Sequence, residues 1–263
     1  MLITSTQNPR IRHLLLLEQK SSQRRKDGLF VVEGRREVEH CLAAGYAVRT
    51  VFLCEEIADG PFSLPQQAEI IPVAPNVYER IAYRGGTEGI VAVVEARRLD
   101  LAGLQLSASP LIVVLESVEK PGNLGAVLRS ADAAGADAVV VCDPLTDIFN
   151  PNLIRSAVGA LFTVPVVACS TEECIAFLKS KGIQILTAQL QDSRLYYDSP
   201  MTGPTAIVMG TEATGLSDEW RRDADAHIRI PMLGRLDSLN VSVSAAILLF
   251  EAVRQRQMQI GRK

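Results

Sequence analysis

From Pro110 onward the chain repeats one pattern, a short unbroken apolar run followed by a stretch of helical periodicity. The apolar runs are Leu111–Leu115, Ala138–Val141, Val164–Ala168, Ile183–Ala188, Ala206–Met209 and Ile228–Ile230. Helical patterns lie between and after them, at Leu124–Ala134, Thr171–Lys179 and Val241–Gln257. Strands apolar on both faces and separated by helices predict a buried parallel sheet. The first 95 or so residues alternate on a smaller scale. Leu29–Glu33 reads as a strand, Arg35–Ala44 as a helix stopped by Gly45, Val48–Cys54 as a strand, Val77–Tyr83 as a short helix and Gly89–Glu95 as a strand. The pattern therefore predicts an α/β protein with a smaller N-terminal α/β domain over residues 1–96, a connector over 97–109 and a larger domain over 110–263.

Composition changes this picture little. An apolar content of 48% with 22% charged residues is that of a globular chain with ample core. No apolar run reaches the roughly 18 residues of a membrane span, and the first residues lack a signal-peptide apolar region. The expectation is a cytoplasmic protein that does not enter a membrane. The five cysteines form no Cys-x-x-Cys pair, and the three histidines are scattered. Buried reduced thiols and no metal site are expected.

Charge is more telling in its distribution than in its sum of −3. Residues 1–36 carry Arg10, Arg12, Lys20, Arg24, Arg25, Lys26, Arg35 and Arg36 against Glu18, Asp27 and Glu33, which gives 8 − 3 = +5 in a chain that is acidic overall. Such a run is either a solvated helical face or an edge that contacts phosphates.

Three polar segments interrupt the apolar pattern of the larger domain. The first runs from Glu116 through Pro121-Gly122-Asn123-Leu-Gly125 to Arg129-Ser130, the second is Gly210-Thr-Glu212-Ala-Thr-Gly215-Leu216, and the third is Ile230-Pro-Met-Leu-Gly-Arg-Leu-Asp-Ser238-Leu239-Asn240-Val-Ser242. The glycines of the first segment do not spell Gly-x-Gly-x-x-Gly and lie too far beyond the preceding strand for a dinucleotide turn. Ser238 and Asn240 have a plain structural reading as helix N-caps. Together and in this order, the segments resemble the three motifs of the SpoU family of RNA ribose 2′-O-methyltransferases, within the SPOUT superfamily. The resemblance covers roughly residues 108–258, and the N-terminal part is similar to the substrate-binding domain that many members carry.

The resemblance implies a trefoil-knotted C-terminal SPOUT domain and an N-terminal L30e-like RNA-binding domain. It implies S-adenosylmethionine as cofactor, held by Gly210, Ile230 and Leu239. It places Asn123, Arg129, Glu212, Ser238 and Asn240 at the reaction. With that family in view, Arg24, Arg25, Lys26 and Arg35 become candidate phosphate contacts on RNA. It also implies a homodimer through the C-terminal domain, for which Leu248, Leu249 and Val253 offer an apolar face. Ribosomal RNA is the favoured substrate. The alternatives are a non-catalytic RNA-binding or assembly factor and a tRNA ribose or base methyltransferase of the same superfamily.

Overall fold

The computed structural model of the protein describes residues 1–58, 67–82, 88–211, 214–235 and 237–260. These fall into two compact units, one of residues 1–97 with 147–163 and the other of residues 98–146 with 164–263.

The first unit opens with two helices, α1 (Pro9–Gln19) and α2 (Ser21–Asp27). Pro9 at the first position and the Asn8 side chain, which accepts the Arg10 amide at 2.9 Å, start α1. Gly28 in the left-handed region stops α2. Then come β1 (Leu29–Glu33), α3 (Arg35–Ala43), β2 (Val48–Leu53), β3 (Glu69–Pro72), α4 (Pro75–Ile81) and β4 (Ile90–Glu95). The four strands form one sheet in the order β1-β4-β2-β3, antiparallel except for β2 with β3. One face of this sheet is covered by Ile11, Leu14 and Leu17 of α1 and by Val77, Tyr78 and Ile81 of α4, all essentially buried.

The segment 147–163 also belongs to this unit and supplies helices α6 (Pro151–Ala157) and α7 (Ala160–Thr163). Phe149 stacks on Phe30 of β1 at 4.5 Å between ring centres, and Phe162 meets Tyr46 edge-on at 5.4 Å. Pairs of this kind add stabilisation beyond the area they bury.

In the second unit the predicted apolar runs become β5 (Leu111–Glu116), β6 (Ala138–Cys142), β7 (Val166–Cys169), β8 (Gln184–Ala188), β10 (Thr205–Met209) and β11 (Ala226–Arg229), with a short β9 (Arg194–Leu195) at the edge. The sheet runs β7-β6-β5-β10-β8-β11-β9 and is parallel in every pairing. The central strands β5, β6 and β10 are buried at every position, as strands covered on both faces should be. The helices of this unit are α5 (Pro121–Ala133), α8 (Thr171–Ser180), α9 (Asp218–Asp223) and α10 (Val241–Ile260).

Helix α10 corrects one expectation. Leu248 and Leu249, assigned from the sequence to a dimer face, are fully buried within their own unit, and α10 packs on α5. Val253 is half-buried, and the apolar positions that α10 leaves exposed among the described residues are Val243, Phe250 and Met258, each about half exposed. Among the described residues no helix is long and apolar enough to cross a membrane.

Candidate active site

At the carboxyl ends of β8, β10 and β11 the chain leaves the sheet in loops that enclose a cavity of about 400 Å³. Crevices beyond the carboxyl ends of parallel strands are where such sheets bind small molecules, and this volume suits one. Gly210, Ile230, Ser238 and Leu239, singled out from sequence, all line it.

The loop after β10 is folded back on itself. The Thr211 amide donates to the Gly215 carbonyl at 3.2 Å, and the Gly215 amide donates to the Thr211 carbonyl at 3.1 Å. A Cβ on Gly210 would lie 2.2 Å from the Gly215 oxygen, so only glycine permits this closure. Glu212, expected at the reaction, lies outside the described residues.

The first and third motifs meet directly. Asn240 donates through Nδ2 to Oδ1 of Asn123 at 3.1 Å. Its own Oδ1 accepts the Ser242 amide at 2.9 Å and the Ser242 hydroxyl at 2.6 Å. Asn240 is therefore the N-cap of α10 and also a bridge to α5, so the plain and the functional readings both hold at this residue. Asn123, Lys120 and Val241 line a second cavity of about 130 Å³ that shares Gly210, Thr211 and Val241 with the larger one.

Arg129 is placed differently. It lies on the exposed side of α5, lines neither cavity, and has no hydrogen bond or ion pair among the described residues.

Two residues of this region received no role in the sequence reading. Glu116, at the end of β5, is 6% exposed. One of its carboxylate oxygens accepts the Ser217 amide at 2.8 Å, and the other accepts the Thr171 hydroxyl at 3.3 Å. It anchors the exit of the 210–217 loop across a separation of about a hundred residues, which no local pattern could announce. Gln189 lines the larger cavity, and its buried Oε1 has no hydrogen-bond partner among the described residues. A buried acceptor without a partner is costly, and a ligand bearing a donor would relieve it.

The basic N-terminal run divides. Arg24 is 5% exposed. It donates through Nε to Asp147 at 2.7 Å and through Nη1 to the carbonyls of Leu17 and Glu18 at 2.6 and 3.0 Å. The expectation that Arg24 contacts RNA is thus overturned, because its guanidinium satisfies the last carbonyls of α1 and a carboxylate inside the unit. Arg25 and Lys26 are exposed, and Arg35 is half-buried at the start of α3 with its amide donating to Glu88. All five cysteines are free thiols, four of them buried and Cys169 half-buried. The sulfurs of Cys142, Cys169 and Cys174, distant in sequence, lie within 4.8 Å of one another.

Fold and site define an α/β protein with a parallel sheet whose small-molecule cleft is built from loops rather than from a glycine-rich dinucleotide turn. Residues 110–250 match the SpoU rRNA Methylase family and residues 8–92 match the MRM3-like substrate binding domain. The chain belongs to the SpoU rRNA methylase family.

It is 29% identical to the 23S rRNA (guanosine(2553)-2'-O)-methyltransferase RlmP of Bacillus subtilis (strain 168), over 94% of this chain and 97% of that protein. It is 37% identical to a crystallised RNA 2'-O ribose methyltransferase, with a TM-score of 0.83 over 98% of this chain and all of the other. An AdoMet-bound rRNA methyltransferase from Sinorhizobium meliloti superimposes with a TM-score of 0.87 at 29% identity, over 97% of each chain.

Proposed function

We propose that this protein transfers a methyl group from S-adenosylmethionine to a ribose 2′-hydroxyl of ribosomal RNA. The observation that carries this reading is the hydrogen bond between Asn240 and Asn123, which joins the third motif to the first beside the cavity lined by Gly210, Ile230 and Leu239. The cavity suits the cofactor on chemical grounds. Gln189 offers an unpartnered acceptor in its wall, Ile230 and Leu239 offer apolar surface, and Arg221 and Asp237 offer charges of both signs for a zwitterionic end. When bound, S-adenosylmethionine supplies a methyl group already activated on a sulfonium.

The chain's own residues then bind, align and manage charge. Gly210, Ile230 and Leu239 hold the cofactor. Asn123, Glu212, Ser238 and Asn240 orient the ribose. The Arg129 guanidinium offers a planar fork of donors and no acceptor, so its role is to grip an RNA phosphate and steady the developing negative charge rather than to act as base. Arg25, Lys26 and Arg35 carry RNA contacts on the N-terminal side. No metal takes part.

The reading extends to organisation. Residues 1–96, joined by the 147–163 segment, form a substrate-binding domain of L30e-like fold, 97–109 a linker, and the rest of 110–263 the methyltransferase domain with a trefoil knot. The protein works in the cytoplasm as a homodimer through the C-terminal domain. On α10, Val243, Phe250 and Met258 replace Leu248 and Leu249 as the apolar positions available to a partner.

The test is methyl transfer from labelled S-adenosylmethionine to ribosomal and transfer RNA, followed by nucleoside analysis. A 2′-O-methylated nucleoside from ribosomal RNA is expected. A methylated base, or no transfer by folded protein that binds the cofactor, would sink the proposal.

A further inference from the structure

The three-cysteine cluster of the second unit has a geometry that ordinary core packing does not require. Cys142 ends β6 and Cys169 ends β7, and the two are register partners on adjacent strands. Cys174 comes from the first turns of α8. Each residue offers one sulfur, and all three sulfurs lie within 4.8 Å of one another. An ion with metal–sulfur bonds of about 2.3 Å holds its sulfurs roughly 3.8 to 4.0 Å apart, so closure on it needs movements of no more than about 1 Å.

We propose that Cys142, Cys169 and Cys174 form a binding site for one soft d¹⁰ metal ion, held by three sulfurs. The donor set is sulfur alone, which selects zinc-group ions or copper(I) over hard cations. The neighbouring carboxylates are already engaged. Asp143 accepts the Thr171 amide, and Glu173 accepts the Ser170 amide and hydroxyl in a capping box. Ile175 and Leu178 pack around the buried pair Cys142 and Cys174 and limit water. Cys169 is half-buried and gives an ion a way in.

The electrostatics agree with this geometry. Hydrogen bonds from Cys142 and then Cys174 hold the Cys169 thiol well below its ordinary range, while Cys142 is pushed up. A metal ion displaces the thiol protons of its ligands, so binding releases protons and weakens in acid.

The experiment uses the reduced full-length protein, stripped with a chelator and kept without oxygen. It is titrated separately with cadmium(II) and with copper(I). One equivalent should bind with a thiolate-to-metal absorption band, and X-ray absorption at the metal edge should count three sulfurs. Cys169→Ser should weaken binding about tenfold or more. Cys41→Ser, in the first unit, should leave it intact. Saturation by both ions assigns the site to the zinc-group class as well, and saturation by copper(I) alone assigns it to a univalent ion. Absence of stoichiometric binding, a shell of fewer than three sulfurs in the unmodified protein, or full binding by Cys169→Ser would overturn the proposal. The sulfur count needs no variant, so misfolding of a mutant leaves it decisive.

Discussion

Helix α2 and helix α5 each carry an arginine that the sequence marks out, Arg24 in a basic run and Arg129 in a motif. The folded chain treats them oppositely. Arg24 is buried and donates to Asp147, Leu17 and Glu18, whereas Arg129 stands exposed with no partner among the described residues. A guanidinium whose donors are satisfied inside the protein has little left for a ligand. One exposed on a helix surface contributes little to stability and can reach a substrate. The difference lies in where the donors go, and a count of charges along the chain does not show it.

The sharpest way to break this comparison is to remove each arginine and read stability and turnover side by side. Arg24→Ala leaves Asp147 with an unpaired, largely buried charge and frees two helix-end carbonyls. A loss of about 3 kcal/mol or more is expected, seen as a lower unfolding midpoint in calorimetry. A change below about 0.5 kcal/mol would mean that Arg24 is as dispensable as a surface residue.

Arg129→Ala should do the reverse. Its unfolding midpoint should stay near that of the parent, while single-turnover methyl transfer falls on the order of 10²-fold. Arg129→Lys should lose nearly as much, because it keeps the charge without the planar fork. Cofactor titrations should be unchanged in both variants. A near-normal rate for Arg129→Ala would reduce Arg129 to a solvated helix position.

A smaller effect separates the two roles of Asn240. Asn240→Ala removes both the α10 cap and the link to Asn123, and should cost about 1 kcal/mol of stability as well as rate. Asn123→Ala keeps the cap and should lower the rate with little effect on unfolding. Equal destabilisation by both would show that the pair is only structural. The smallest expected change concerns the exposed neighbours of Arg24. Replacing Arg25 and Lys26 with alanine should flatten the salt dependence of RNA binding by roughly one unit of slope for each lost phosphate contact. An unaltered slope would make them a solvated face.

Much of the second unit was legible from sequence. Unbroken apolar runs such as Leu111–Leu115 and Ala206–Met209 announce strands buried on both faces, and their positions match β5 and β10 closely. The motif residues Gly210, Ile230, Ser238 and Leu239 converge on one cavity because each ends or follows a strand of that sheet. Features that depend on long-range partners were not legible. The inward turn of Arg24 is set by Asp147, 123 positions away. Glu116 looks like an ordinary strand-end carboxylate until Ser217 and Thr171 come to it. Helices α6 and α7 are short and weakly periodic, and α10 hides its buried face among apolar residues on several sides.

The excursion at residues 147–163 bears on how this protein can be divided and recombined. It lies inside the stretch that matches the methylase family, yet its rings pack on Phe30 and Tyr46. A gene fragment that begins at residue 98 encodes Phe149 and Phe162 without the rings they pack on, and exposes an apolar patch of the kind that drives aggregation. The two units are therefore not exchangeable cassettes. A graft of another substrate-binding domain onto this methylase succeeds only if the 147–163 segment is replaced together with it.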